Sequence, residues 1–415
     1  MKTLFCYSFC WLLFSGNYLQ AQDNYSEAET LFHEDIRTIM LYRAGWELTF
    51  PVIIKGEPVQ LELRFDYLGE NSNTFSYAVT NCTYDWRLNP AGDHEYIEGF
   101  NDITIDNSTP SRNTTTDYIN YFAKIPGEGL KITQSGNYLL KVFETNNQEN
   151  VFFTRRFCIA EKLVEIDAQV KRYHHENQEL MISVDLGRLN LMNPLEEVKV
   201  VVLRNYDWYN QIPVNSPPYL RNNKLHFDLP GQIAAEGLNE YRYFNTKTTL
   251  YSPEGVEKIE YIPPSFHFTL KTDELRGFLP YYTSEDLNGR YYIDLNDAYD
   301  RHTEADYMVV NFKLDCEELY GMNIYLYGAL TDWRQDETNR MVYNNESGGY
   351  EKTLLLKQGL YNYLYMVDSG KETFFSMTEG SHSETENDYI ILVYLRETMG
   401  DFDRLVGYEL IESNP

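Results

Sequence analysis

Several groups of residues in this chain carry types that do chemistry elsewhere, and their spacing decides whether they do so here. His174 and His175 are adjacent. Neighbours on a strand point to opposite faces, so the pair does not converge on one metal ion, and none of the eight histidines falls in HExxH or a comparable ligand spacing. A solvated surface role accounts for them. Asp286-Leu287-Asn288-Gly289 opens like a calcium loop, but the bidentate acid that such a loop requires further on is not in place. A turn in which Asn-Gly takes positive φ explains the segment better. Cys82, Cys158 and Cys316 sit in no nucleophile signature. Cys82 and Cys158 could bond to one another, or all three could be buried as small hydrophobes. With 63 acidic residues, any two carboxylates could be named an acid/base pair, so their number points to no glycosidase. Walker, GxGxxG and GxSxG patterns are missing as well. The expectation is a non-enzyme with no catalytic residue, cofactor or metal.

The elements that hold these residues read as strands. Val59-Gln60-Leu61-Glu62-Leu63-Arg64-Phe65 alternates apolar and polar residues with period two, as do Phe266 to Leu270 and Val310 to Leu314. Val200 to Leu203 and Ile390 to Leu395 are apolar throughout, which suits strands covered on both faces. Turn residues such as Asn71-Ser72-Asn73, Ser135-Gly136-Asn137 and Asn288-Gly289 punctuate the chain. Short helices are expected only at 26–42 and 231–241. The 36 tyrosines favour sheets, since tyrosine packs one face and hydrogen-bonds at its tip. The class is all-β, built from tandem β-sandwich domains. Their boundaries are expected at 22–162, 163–280 and 281–415, packed against one another with no low-complexity linker.

Residues 1–21 read as a signal peptide: Lys2, an uncharged apolar run from Leu4 to Phe14, then Leu19-Gln20-Ala21 before Gln22. That run is shorter than the roughly 20 residues that cross a bilayer. Cys10 lies inside it behind Phe9 and is not read as a lipidation site. The formal net charge is −28, and loss of the leader removes one lysine and no acid. This balance excludes nucleic acid and anionic lipid as partners, because both require basic patches. The mature chain is expected to be exported and not membrane-spanning.

From Asn81-Cys82-Thr83-Tyr84-Asp85-Trp86 onward, ordered motifs accumulate. They are Glu95 to Phe100, Ser135-Gly136-Asn137-Tyr138, Thr154-Arg155-Arg156-Phe157, Asn239-Glu240-Tyr241-Arg242-Tyr243-Phe244, Asp286 to Gly289, Leu356 to Gly359, Glu379-Gly380, and Thr385-Glu386-Asn387-Asp388-Tyr389. Together they resemble the plug proteins of the type IX secretion system of the Bacteroidota, over nearly all of the mature chain. Asn81 departs from the histidine common in the family. Asp85, Trp86, Arg155, Arg156, Asn239, Glu240, Arg242 and Asn387 are expected to be structural, with Glu240 and Arg242 as an ion pair. The resemblance implies immunoglobulin-like domains and a periplasmic protein, peripheral to the outer membrane and monomeric within a hetero-complex. Its partner would be the outer-membrane translocon barrel, which it seals when no cargo is engaged. A second likeness, at Ile324 to Trp333, Tyr350 to Leu356 and Tyr361 to Asp368, is to early-set sandwiches that bind glycogen or starch. It gives an alternative, a carbohydrate-binding or scaffolding protein with an exposed Trp333 and neighbouring Tyr325 and Tyr327 as stacking residues.

Overall fold

Strand periodicity dictates the architecture. In the computed structural model, which describes residues 33–70, 72–187, 189–396 and 402–413, six sheets pair face to face around three cores. Leu61–Tyr67 shows how the pattern becomes packing. Leu61, Leu63 and Phe65 enter the first core, while Glu62 and Arg64 face outward. That core lies between the sheet Ile36–Arg43, Leu61–Tyr67, Ile119–Ile125, Asn107–Pro110 and the sheet Val52–Ile54, Asn147–Ala160, Gly136–Glu144, Phe75–Cys82, Ile103–Thr104.

The other two units do not divide near residue 280 as expected. Val198–Arg204 pairs with Asp388–Leu395, which pairs with Arg404–Glu412, so the second sandwich is closed by the C-terminal strands. Arg242–Asn245 pairs with Gly359–Asp368, and Ser265–Leu270 runs parallel to Tyr307–Asp315. Residues from about 242 to 385 therefore form a third sandwich inserted into the second. Sequence order hides this because the strands that close the second core are some 190 residues away from those they pair with.

Asp388–Leu395 is buried at every position, and alternation explains how. Tyr389, Ile391, Val393 and Leu395 fill the second core, whereas Ile390, Leu392 and Tyr394 meet Val52, Leu139 and Trp86 of the first unit. One strand is core to one unit and interface to the next. The expectation of close-packed domains is met.

Among the described residues neither expected helical segment is a helix. At 231–241 the chain turns at Gly231 and then forms Ala234–Glu236 against Asn177–Glu179. Ile36–Arg43 is a strand with a bulge, and Thr38 sits at φ 49° between Arg37 and Met40, where the register slips. The extra residue sets Ile36 and Ile39 three apart on the core face, a spacing that imitates a helix. The expected leader lies outside the described residues. His174 and His175 lie in the tight turn between Glu165–Tyr173 and Asn177–Asp185, not within a strand.

Candidate functional site

The twin arginines explain how the first unit holds the other two. Arg155 and Arg156 are consecutive in the strand Asn147–Ala160 and so point to opposite faces. The Arg156 guanidinium lies 4.8 Å from the ring of Trp86, 5.9 Å from Trp208 and 5.3 Å from Tyr209, a cation–π box between the first and second units. Trp86 occupies the left-handed region at φ 64°. Asp85 shapes that turn, accepting from the Thr83 hydroxyl at 2.5 Å and pairing with Arg87 at 3.1 Å, and Trp86 then meets Trp208 edge-on at 4.8 Å. Arg155 reaches the other way and pairs with Asp332 of the inserted unit at 2.8 Å.

Asp332 follows the short turn Ala329–Thr331, and Trp333 next to it is only 8% exposed. Its ring meets Tyr327 at 5.4 Å and Tyr241 at 6.3 Å, both edge-on, and Tyr325 is buried in the same cluster. The sugar-stacking expectation for Trp333, Tyr325 and Tyr327 therefore loses its exposed face. The Asn288-Gly289 turn, with φ of 50° and 81°, closes over the cluster. A Cβ at Gly289 would stand 2.2 Å from the Trp333 ring, so only glycine fits. Tyr327 donates its hydroxyl to Asp207 of the second unit, whose carboxyl burial pushes up to about 6. Asp286, half-buried against the Tyr241 amide, is pushed up to about 7, desolvation being the largest cause.

The Asn239 to Arg242 motif builds a second cluster. Arg242 does not pair with Glu240. Its Nε lies 3.1 Å from Glu379 and its Nη1 2.8 Å from Asp273, and Arg276 adds a 2.6 Å contact to Glu379. Burial raises the Glu379 carboxyl, but Arg242 and Arg276 together with the Tyr365 amide hold it below its ordinary value. Glu240 instead accepts from the Tyr281 hydroxyl and, at 3.2 Å, from the Glu386 amide, and burial leaves its carboxyl raised. Asn239 donates to the Glu379 carbonyl at 2.7 Å. Asn387 ties the strands of the second unit, donating to the Gly237 carbonyl at 2.8 Å and accepting from Asn205 at 2.7 Å. Glu379 lies in one of the family motifs, whereas Arg276 and Asp273 are not singled out from sequence.

That cluster anchors the base of a loop. Arg276 and Tyr281 are fixed as described, while between and beyond them Phe278 is 93% exposed, Tyr282 80%, and Leu279 more than half. Rings held outward on a fixed base are the hot-spot pattern of protein interfaces.

A third lock joins the first unit to the inserted one; its lysine lies in the Leu356 to Gly359 motif, but its partners are not legible in the sequence. Lys357 lies 2.6 Å from Asp66 with both side chains buried, and Asp66 also accepts from Tyr307 at 2.7 Å and Asn120 at 2.8 Å. Burial lowers the Lys357 ammonium, with Asp66 opposing. Asp306 accepts from the amides of Thr115 and Thr116 at 2.7 and 3.0 Å.

Cys82 and Cys158 form no disulfide with one another. Both lie opposite Asn137, on the two strands flanking it, so two strand spacings of about 4.8 Å separate them, more than the ~7 Å a disulfide tolerates. Asn81, at the family's histidine position, is buried and donates to the Asn137 carbonyl at 3.3 Å.

The unit carrying the twin arginines is the part that a family model recognises: the type 9 secretion system plug protein 1st domain matches residues 36–161. The chain belongs to the type IX secretion system plug family. The fold extends the likeness beyond that domain. A crystal structure of a hypothetical protein from Parabacteroides merdae ATCC 43184 superposes with a TM-score of 0.90 at 30% identity, covering 93% of this chain and 99% of that one. No curated protein matches. The plug family is a structural component of a secretion system and not a known enzyme family. Among the described residues no helix is long and apolar enough to cross a membrane.

Proposed function

We propose that this plug-family protein works mechanically, docking on the periplasmic mouth of the outer-membrane translocon barrel and sealing it when no cargo is engaged. The observation that carries the reading is the locking of three sandwiches by buried contacts, with Arg155 and Arg156 reaching two partners from one strand. A stopper must resist deformation, and buried paired charges and shared strands supply that stiffness. Its action needs no catalytic group. The acids raised toward neutrality, Asp207 and Asp286, are committed to hydrogen bonds inside the junction.

The docking anchors are Phe278, Leu279 and Tyr282, presented beside Glu285 on a chain of net charge −28. They suit an apolar recess with a basic rim, because such charges steer encounter while buried rings supply affinity. The protein is exported to the periplasm and stays peripheral to the outer membrane. Tagged protein purified in gentle detergent should bring the barrel with it, and the double variant Phe278→Ala, Tyr282→Ala should recover several-fold less while keeping the wild-type melting temperature. Wild-type preparations that never contain the barrel would overturn the proposal.

A further inference from the structure

A cleft of about 410 Å3 opens between the first unit and the inserted one, within the ~300–1,000 Å3 typical of ligand sites. Two of its walls are strands, and the segment 329–338 forms a third. On one side is Ile36–Arg43, the end strand of its sheet, bent at Thr38 by the bulge, where the Ile36 amide already donates to the His33 carbonyl and the Ile36 and Ile39 carbonyls accept from Arg37 and Tyr291. On the other is the second half of Gly349–Lys357, whose outer neighbour Val342–Asn344 pairs only with Gly349–Glu351. Among the described residues no strand takes up the outer edge from Lys352 to Leu356, and Thr353 there is exposed. Backbone donors and acceptors on such edges are templates for an added strand.

The cleft is held open at a fixed width. At its closed end Lys357 pairs with Asp66, and the hydroxyls of Thr38 and Tyr307 meet at 2.7 Å. Leu330 and Leu355 give the lining apolar surface. Among its described charges Arg37 and Glu34 have no ion-pair partner. Lys357 has Asp66 and Arg334 has Asp336 at 3.2 Å, whereas Arg37 donates to the carbonyls of Glu34 and Ile36 and has no carboxylate partner among the described residues. Glu34 lines the same cleft, yet no carboxylate pairs with Arg37 among the described residues, and in a chain with 63 acids and 35 bases such a cation is a feature of that cleft.

We propose that this cleft takes an extended apolar segment of a partner protein, which adds as a strand to the open edge from Lys352 to Leu356 and places an acidic side chain on Arg37. The site is separate from the Phe278 loop and does not depend on barrel docking. Open edges give affinity through main-chain hydrogen bonds, and Arg37 selects for charge.

The probe is a fluorescein-labelled hexapeptide, Val-Asp-Val-Thr-Val-Thr, added to the full mature chain and followed by fluorescence anisotropy. It should bind saturably. Replacing its Asp by Lys should weaken binding at least about tenfold, and Arg37→Glu should reverse that preference. Alternate backbone N-methylation of the peptide should abolish binding. Hydrogen exchange read by mass spectrometry should slow about tenfold or more across 352–356 when the peptide is bound. No saturable binding, binding that leaves those amides unprotected, or a charge preference untouched by Arg37→Glu would each overturn the proposal. Self-association of the chain that protects the same amides without peptide would assign the cleft to a second copy and overturn it too.

Discussion

Lys357 and Asp66 illustrate what a buried charge does in this molecule. Removing one partner leaves the other desolvated, and breaking such a pair costs about 3–5 kcal/mol. Lys357→Ala should therefore lower stability to chemical denaturation by that amount, and a change below about 1 kcal/mol would show that water reaches Asp66. Asp207 gives a prediction with a defined sign. Its folded carboxyl titrates near 6, above its ordinary 3.8, so the folded state holds a proton that the unfolded chain has released. Its stabilising effect is whole below about pH 4, is lost as pH rises to about 6, and stays lost above; the full loss is about 3 kcal/mol. The stability of wild type relative to Asp207→Asn should fall across that window when denaturant midpoints are compared from pH 4 to 8. A difference that rises with pH would reverse the assignment of burial as the main cause.

At the scale of elements, much of the fold is legible in the sequence where alternation is unbroken. Val59 to Phe65 can be read directly, and the uninterrupted apolar run at Ile390 to Leu395 announces a strand covered on both faces, although not that one face meets another unit. Ile36–Arg43 misleads because a bulge changes a period of two into a spacing of three. The candidate site is less legible, since its partners are remote in sequence: Arg242 and Glu379 are 137 positions apart, and nothing near Arg242 except Glu240 offers an acid. Trp333 reads as a surface residue because its cover comes from Tyr241 and the Asn288-Gly289 turn. That turn is testable. Gly289→Ala sets a methyl 2.2 Å from the Trp333 ring at a positive φ, and strain plus overpacking should cost about 2–4 kcal/mol. A neutral effect in thermal unfolding would mean the cluster is loosely packed.

For the whole molecule, the consequence of the topology is that each unit is tied to the other two. The second sandwich is closed by strands that return after the inserted one, Asp388–Leu395 serves two units, and the part-buried pair Arg155–Asp332 and the buried pair Lys357–Asp66 join the first to the inserted. Such a body can cover an opening and leave it as one piece. The most direct measurement is outer-membrane permeability, read as entry of a large antibiotic such as vancomycin, in cells lacking this protein with and without the translocon barrel. If the protein seals an empty barrel, its loss should raise uptake several-fold and deletion of the barrel as well should restore the wild-type level; uptake unchanged by its loss, or a leak that persists without the barrel, would contradict the account.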